Sequence, residues 1–227
     1  AMCERSVAAM TGGDVLLAQA GTGTGKSIAY LAAAAAHAAA SGERAIISTA
    51  TLALQRQILL KDAPAVLEEA AKVTGARLDV ALLKGWHNYV CLHKVTGGYP
   101  DDDAGTLFSL DAGSSGGERS RSTLGEQVLA ARAFAEDTET GDRDDMVPGV
   151  ADNAWRQVSV TKLECLGPKC PVRDDCFAEA ARLRAREADL VDTNHAMLGI
   201  AASGSPGVLP EFGALVVDEA HELPGRV

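Results

Sequence analysis

The chain alternates short apolar runs with longer segments in which apolar residues recur at helical spacing. Strands are predicted over residues 14–20, 44–49, 77–83, 189–192 and 214–218. Helices are predicted over the alanine-rich residues 26–40, which Gly42 ends, and over residues 52–62 and 66–74. Because strands that alternate with helices form a parallel sheet covered on both faces, the pattern predicts an α/β domain.

The alternation stops between residues 84 and 187. Within this part, residues 100–117 are rich in Asp, Gly and Ser and predict a mobile loop, and residues 138–148 predict an acidic loop. Helices are predicted over residues 122–136 and 176–187. We interpret the segment as a subdomain inserted between two strands of the sheet. The domain organisation is then residues 1–83 and 188–227 for the α/β domain and 84–187 for the insertion.

The net charge of -10 at first argues against binding to nucleic acid, which is itself negatively charged. Residues 101–152, however, hold 13 acidic residues and four arginines, and the remainder of the chain is nearly neutral. Because the acidic residues are concentrated in this one segment, they do not exclude basic surfaces elsewhere in the chain. The longest apolar region, residues 28–40, is too short and too alanine-rich to span a bilayer, and we find no signal-peptide pattern. We therefore expect a cytoplasmic protein that does not bind membranes.

Residues 20–27 read AGTGTGKS and lie between a predicted strand and a predicted helix. Glycines in such a loop let backbone N–H groups face phosphate oxygens, and the helix adds the positive end of its dipole. We expect Lys26 to hold the β- and γ-phosphates and the Ser27 hydroxyl to bind Mg²⁺. The alternative, a glycine-rich turn that contains Lys and Ser by chance, is disfavoured by the strand and helix around it. The predicted nucleotide-binding residues are Gly21, Thr22, Gly23, Thr24, Gly25, Lys26 and Ser27.

Residues 215–221 read LVVDEAH, an apolar strand that ends in two acidic residues. Hydrolysis of a nucleoside triphosphate requires an acid that holds Mg²⁺ and a base that orients the attacking water. We assign the first role to Asp218 and the second to Glu219. A strand that ends in Asp-Glu is unremarkable alone. Together with the phosphate-binding loop, it makes nucleotide hydrolysis the leading hypothesis.

Five segments of the chain follow the order found in the DinG branch of the XPD-like iron-sulfur helicases of superfamily 2. They are AGTGTGKS (20–27), STATLALQRQ (48–57), KGWHNYVC (84–91), DTNHAMLG (192–199) and VVDEAH (216–221). The resemblance covers nearly the whole chain and implies a RecA-like P-loop domain with an inserted iron-sulfur subdomain. It also implies ATP-dependent unwinding with 5' to 3' movement on single-stranded DNA. Forked or structured DNA is a further expected partner, and we expect a monomer.

The resemblance also implies roles for individual residues. Thr49 and Thr51 match the motif that contacts the DNA backbone, and the alternative for them is an ordinary strand end and helix N-cap. His221 matches the residue that couples hydrolysis to a second motor domain. We expect that second domain, and the glutamine motif that recognises adenine, to lie outside this chain, so that the chain alone is inactive. Trp86 stands where the resemblance would place Arg or another polar residue.

Four of the five cysteines, Cys91, Cys165, Cys170 and Cys176, lie in the predicted insertion. Four thiolates suit an iron-sulfur cluster, but they also suit tetrahedral Zn²⁺, and unligated thiols are a third alternative. The spacing of the last three is unusual for a zinc finger and resembles the [4Fe-4S] site of DinG enzymes. Cys3 lies outside the insertion and is expected to be an inert thiol.

The basic and aromatic residues near the cysteines predict a DNA-facing surface, for which a solvated helix face is the alternative. They include Arg182, Arg184, Arg186, Trp86 and Tyr89. Two other functions compete with a helicase. One is a P-loop iron-sulfur ATPase that senses redox state or transfers electrons, and the segments 48–57 and 216–221 disfavour it. The other is a zinc-containing module that binds DNA without unwinding it.

Overall fold

A computed structural model describes residues 1–21, 23–99, 118–205 and 207–225, with only the backbone given for residues 52 and 118–123. The chain divides into two units. Ala1–Lys84 and Arg182–Val227 form the first unit, and Gly85–Ala181 form the second. The loop predicted over residues 100–117 lies outside the described residues.

The first unit is built on a parallel sheet of four strands in the order β2-β3-β1-β4. Its strands are β1 (Ala45–Thr49), β2 (Val80–Leu83), β3 (Leu190–Asn194) and β4 (Ala214–Val217). Its helices are α1 (Met2–Gly12), α2 (Lys26–Ser41), α3 (Leu52–Gln57), α4 (Ala63–Thr74) and α9 (His195–Ala202), and a 3₁₀ turn covers Ala220–Gly225. A further helix, α8 (Phe177–Glu187), contains the boundary between the units. The predicted α/β class is therefore confirmed.

Helix α2 packs on the sheet through small side chains. Ala34, Ala35 and Ala38 are buried, and they share one core with Leu31 of the same helix and with Ile47 of β1. Alanine has the highest helix propensity and the smallest side chain that still covers apolar surface, so an alanine-rich helix can approach a sheet closely. The phosphate-binding loop precedes this helix and is thereby fixed to the sheet.

Residues 14–20 do not form a strand, and the prediction for them is wrong. The side chains of Val15 and Leu17 are 92% and 89% exposed. The edge strand β4 pairs with β1 on one side, and within the described residues no strand pairs with its other side. An apolar run becomes a strand only where it meets a pairing edge and a buried face. In this structure residues 14–20 meet neither.

A single wide turn interrupts the helical stretch that follows β1. The helices α3 and α4 are joined by a π-helical turn, Ile58–Asp62, in which the N–H of Ala63 donates to the carbonyl of Ile58. Pro64 has no N–H and cannot complete the regular bond to the fourth residue before it, which favours a wider turn there. The turn ends at Asp62, a buried carboxylate.

The second unit has a core of its own around Trp155. Its helices are α5 (Leu92–Val95), α6 (Glu118–Asp137) and α7 (Asp152–Trp155), with 3₁₀ turns at Trp86–Asn88, Arg143–Asp145 and Gly167–Lys169. The Trp155 side chain is 2% exposed, and its indole N–H donates to the carbonyl of His87 over 2.7 Å. The Arg143 guanidinium lies 5.7 Å from the centre of the Trp155 ring. This core supports the segments that carry the four cysteines.

Candidate nucleotide site and cysteine cavity

The predicted phosphate-binding loop has the backbone that its glycines permit. Gly23 and Gly25 have φ angles of 73° and 80°, in the left-handed region that glycine adopts without strain, and Gly25 is the N-cap of α2. The Thr24 hydroxyl donates to the carbonyl of Gly21 over 2.7 Å and closes the turn. Thr22 lies outside the described residues. The exposed loop therefore opens directly onto the N-terminus of α2, where an anion is stabilised.

Lys26, the first residue of α2, contacts Glu219 of the DEAH segment. The Lys26 ammonium forms an ion pair with Oε1 of Glu219. The carboxylate and this hydrogen bond raise the pKa of Lys26, and the same bond lowers the pKa of Glu219. Glu219 has a φ angle of 50°, which is uncommon for a residue with a side chain and is typical of functional sites. The fold thus brings together both ends of the predicted site.

Asp218 lies behind this pair and is almost completely buried. The Tyr30 hydroxyl, on the face of α2 that also carries Lys26, donates to Asp218 Oδ2 over 3.3 Å. Burial and the neighbouring Asp218 carboxylate raise the pKa of Tyr30 well above its ordinary value, so the hydroxyl remains a donor. The N–H of Glu219 donates to Asp218 Oδ1 over 3.0 Å. Both carboxylate oxygens of Asp218 are therefore oriented.

His221 lies at the rim of the site and is largely exposed. Its Nδ1 is 3.5 Å from Oε2 of Glu219, and its Nε2 is 3.6 Å from Oε1 of Glu222. The imidazole therefore contacts the outer side of the carboxylate that Lys26 holds on its inner side. This position suits a residue that communicates between Glu219 and a partner outside the site.

The two threonines predicted to contact DNA differ in exposure. Thr49 is fully buried at the end of β1, and its hydroxyl donates to the carbonyl of Thr193 over 3.2 Å and to Asp192 over 3.4 Å. Direct contact between its side chain and DNA is therefore not possible in this structure. Thr51 is exposed, and its hydroxyl caps α3 by accepting from the N–H of Leu54 over 3.3 Å. Of the two, Thr51 alone can reach an external ligand.

The four cysteines of the insertion line one cavity in the second unit, with a volume of ≈480 Å³ that includes its open mouth. They are Cys91, Cys165, Cys170 and Cys176. Burial raises the pKa of the Cys91 and Cys176 thiols. Among the described residues, however, no three side chains of His, Cys, Asp or Glu are arranged to hold a single metal ion. The cysteines therefore converge on one space without forming a site for one ion.

Backbone hydrogen bonds hold the cysteines in place. The N–H of Cys91 donates to the carbonyl of Val158 over 2.7 Å, and the N–H of Cys176 donates to the carbonyl of Arg173 over 3.1 Å. The Gly167 N–H donates to the sulfur of Cys165 over 3.4 Å. Such bonds stabilise negative charge on a sulfur atom. The cavity is thus formed by the fold and contains at least one donor aimed at a sulfur.

The aromatic and basic side chains near the cysteines are less exposed than predicted. Tyr89 is 3% exposed and packs with Ala178 and Ala181, so it cannot stack on a base. Trp86 lines the cysteine cavity. Arg182 is buried, whereas Arg184 and Arg186 are exposed. The two exposed arginines remain candidates for contact with an anionic partner.

Comparisons with known proteins agree with this geometry. The DEAD/DEAH box helicase family matches residues 3–85. The ATP-dependent helicase DinG of Mycobacterium tuberculosis is 46% identical over 95% of this chain, and the ATP-dependent DNA helicase YoaA of Escherichia coli is 37% identical over 93%. DinG of Photobacterium profundum is 32% identical over 92% of the chain. Residues 3–85 therefore carry a DEAD/DEAH box helicase domain, and the chain as a whole is similar to DinG-type helicases.

The chain is shorter than the relatives that it matches. The aligned region covers 32% of the Mycobacterium tuberculosis DinG and 30% of the Escherichia coli YoaA, so the chain spans about a third of the curated relatives it matches. No described helix has the length and apolar character needed to cross a bilayer.

Three polar residues of the candidate site were not predicted from the sequence. They are Tyr30, Asp62 and Asp192, all of which are buried. Tyr30 follows Lys26 by four positions on α2, and this helical spacing was a usable signal. No sequence pattern indicated that Asp62 accepts the Ser27 hydroxyl over 2.7 Å. Burial raises the pKa of Asp192 to about 8, and nothing in a strand sequence predicts such a shift.

Proposed function

We propose that this chain is the ATP-binding part of a DNA helicase that hydrolyses ATP as it moves 5' to 3' along single-stranded DNA. The observation that carries the proposal is the ion pair between Lys26 and Glu219, which joins the phosphate-binding loop to the DEAH segment. The relatives YoaA and DinG are by name ATP-dependent DNA helicases. Site residues of two distant segments meeting at a helix N-terminus support nucleotide hydrolysis over a purely structural role.

In the proposed reaction, Lys26 binds the phosphates that develop negative charge, and Glu219 orients and deprotonates the attacking water. Glu219 must be ionised for this role, and its ion pair with Lys26 lowers its pKa. When the triphosphate binds Lys26, the Glu219 carboxylate becomes free to contact the attacking water. His221, which touches Glu219 from the outside, is proposed to pass this change to a second motor domain.

Mg²⁺ is the expected companion of ATP, and its site would use oxygen donors of this chain. The Ser27 hydroxyl and the Asp218 carboxylate are such donors, and Mg²⁺ prefers oxygen ligands. The Tyr30 hydroxyl and the Glu219 N–H both donate to the Asp218 carboxylate, so the orientation of that carboxylate does not depend on the ion. The bound ion would neutralise charge on the β- and γ-phosphates.

The proposed DNA partner is single-stranded DNA, together with forked or structured DNA that contains a single strand. Thr51 is the residue of the segment 48–57 whose exposed position best suits contact with a phosphate, because it stands at the N-cap of α3. Thr49 is proposed to support the strand end from inside. We propose a monomeric protein in which a second motor domain closes the other side of the site.

The four cysteines are proposed to hold a [4Fe-4S] cluster. All four line the same cavity, and a hydrogen bond already points at the sulfur of Cys165. A zinc site would gather the four sulfurs to within about 3.8 Å of one another, as Zn–S bonds of about 2.3 Å require. The described residues show no group of three or more such side chains arranged around an ion, so their positions favour neither metal, and the cysteine spacing carries the choice of a cluster. A cluster of four irons is larger and uses more widely spaced thiolates.

The helicase proposal is tested by ATPase and strand-displacement assays on a protein that contains this chain and the second motor domain. We expect turnover that requires Mg²⁺, rises with single-stranded DNA and is coupled to unwinding with 5' to 3' polarity. A hydrolysis rate that does not change when single-stranded DNA is added would contradict the proposal and favour a redox-sensing ATPase.

The cluster proposal is tested by metal analysis after purification without oxygen. We expect a brown protein with about four irons per chain. Stoichiometric zinc in a colourless protein would contradict the cluster and favour the zinc-containing module.

A further inference from the structure

The hydroxyl of Ser27 has a carboxylate partner that lies outside both sequence motifs. Ser27 Oγ donates to Oδ2 of Asp62 over 2.7 Å. The side-chain amide of Gln57 donates to the same oxygen over 2.8 Å. Asp62 is 6% exposed, so its carboxylate is directed into the site and not into solvent. Asp62 therefore receives two hydrogen bonds at one atom, one of them from the phosphate-binding loop.

A serine hydroxyl that binds Mg²⁺ uses an oxygen lone pair for the metal and must donate its hydrogen elsewhere. A carboxylate is the strongest acceptor available to it, because hydrogen bonds to charged groups are shorter and stronger than those to neutral ones. We propose that Asp62 is the positioning residue for Ser27: by accepting the hydroxyl hydrogen, it turns the lone pairs of Ser27 toward the Mg²⁺ that accompanies ATP. The inference rests on the proposed function, since it assumes that Ser27 binds this ion.

The backbone places Asp62 where an ordinary helix would not. Asp62 is the last residue of the π-helical turn, and the N–H that follows it bonds to the carbonyl of Ile58, five residues earlier. An α-helix advances about 100° per residue, so one additional residue in a turn changes the direction of the next side chain by a large angle. Single π-turns in helices are frequent at functional sites. The turn thus aims the carboxylate at the loop.

Gln57 donates to the same acceptor atom as Ser27. It is exposed at the end of α3, and its amide holds Asp62 Oδ2 in the position that Ser27 uses. Asp62 itself is not proposed to bind the ion. Its role is indirect, so its loss is expected to weaken the affinity of the site for Mg²⁺ and not the contact between the loop and phosphate.

The test measures binding of a fluorescent ATP analogue to the full 227-residue chain, titrated with Mg²⁺ and repeated in EDTA. For Asp62→Ala we expect about a tenfold higher Mg²⁺ concentration at half-saturation, with unchanged nucleotide affinity in EDTA. For Gln57→Ala we expect a smaller shift in the same direction. The matched control is Glu69→Gln, an exposed carboxylate on α4, which should leave both quantities unchanged. Binding of Mn²⁺, followed by electron paramagnetic resonance in the presence of nucleotide, gives a second readout.

Each result has one meaning. Equal loss of affinity with Mg²⁺ and in EDTA would assign Asp62 a merely structural role and overturn the inference, as would an unchanged Mg²⁺ dependence. If Asp62→Ala does not fold, the same titration on two milder variants decides the question: Asp62→Asn preserves the shape of the side chain, and Gln57→Ala alters an exposed residue. If the unsubstituted chain binds no nucleotide in either condition, the proposed function fails and the inference fails with it.

Discussion

The ammonium of Lys26 is bound to the carboxylate of Glu219, although 193 residues separate them in the chain. The two groups hold each other in the charged state, because their contact raises the pKa of Lys26 and lowers the pKa of Glu219. An incoming triphosphate must replace Glu219 as the partner of Lys26. In the proposed reaction, nucleotide binding therefore breaks the ion pair between Lys26 and Glu219.

Replacing Glu219 with glutamine separates binding from turnover. The amide introduced by Glu219→Gln cannot act as a base, so we expect ATP hydrolysis to fall by at least about a hundredfold. The change also removes the competitor for Lys26, and ATP should bind as tightly as before or up to about fivefold tighter, as the loss of a partly buried ion pair allows. Equilibrium binding and steady-state hydrolysis, measured on one preparation of a protein that contains this chain and a second motor domain, check both expectations. Weaker ATP binding would contradict the competition.

Replacing Lys26 with alanine should remove turnover and weaken nucleotide binding together. Lys26 is the cation proposed to meet the phosphates, and loss of one such electrostatic contact costs roughly a hundredfold to a thousandfold in rate. The matched control is Lys72→Ala, since Lys72 is an exposed lysine on α4 that pairs with Glu68 and Glu69. DNA-stimulated hydrolysis that survives in Lys26→Ala would show that the phosphate-binding assignment is wrong.

Stability should depend on pH through Asp192. Burial raises the pKa of this carboxyl from about 3.8 to about 8, and the neighbouring Asp218 adds to the shift, while Thr49, the Thr193 backbone and Lys84 oppose it. The folded state therefore keeps a proton that the unfolded chain releases above pH about 4. The resulting stabilisation is complete below that pH and is lost as the pH rises toward about 8.

The measurement is thermal or urea unfolding of the wild-type chain and of Asp192→Asn at several pH values. We expect the wild type to lose on the order of 1 kcal/mol or more between about pH 5 and 8 relative to the variant, since each unit of pKa shift corresponds to about 1.4 kcal/mol. Parallel pH profiles for the two proteins would contradict the neutral state of Asp192.

Replacing Cys165 with serine should affect the second unit and spare nucleotide binding. We expect loss of the brown colour and at least about a tenfold weaker affinity for single-stranded DNA, because the proposed cluster would hold loops that have few apolar residues of their own. Cys3→Ser is the control, as Cys3 lies on α1, outside the cavity. The absorption spectrum, DNA-binding titration and nucleotide titration are compared for both variants. Equal changes in absorption and in DNA binding for Cys165→Ser and Cys3→Ser would contradict the prediction.

The 227-residue chain alone should bind nucleotide weakly and should neither hydrolyse ATP appreciably nor unwind duplex. Positive charge supplied in the transition state by a second domain is worth roughly a thousandfold to 100,000-fold in rate. We expect its binding to single-stranded DNA to fall steeply as salt increases, because the contact is made by basic side chains. Robust DNA-stimulated hydrolysis by this chain, lost on Glu219→Gln, would show that it is a self-sufficient motor.

The features that could be predicted from the sequence are those formed by consecutive residues. The phosphate-binding loop, the DEAH segment and four of the five strands follow from local spacing, and the structure confirms the α/β sheet. Features that depend on packing between distant segments were not predictable. Tyr89 and Thr49 are buried although their neighbours in sequence suggest exposure, and the partner of Ser27 comes from a helix 35 residues away. Residues 14–20 have the composition of a strand but no neighbour that pairs with them.

The order of strands in the sheet determines when the first unit can fold during synthesis. The first two strands to be translated, β1 and β2, do not pair with each other, and each pairs with β3. At ordinary rates of translation, residues 85–181 leave the ribosome over a time on the order of ten seconds before β3 follows. The second unit, with its own core around Trp155, is therefore synthesised while β1 and β2 still lack the strand that pairs with both. The emergence of Leu190–Asn194 lets β1 and β2 join, and Ala214–Val217 follows it and completes the described sheet on the other side of β1.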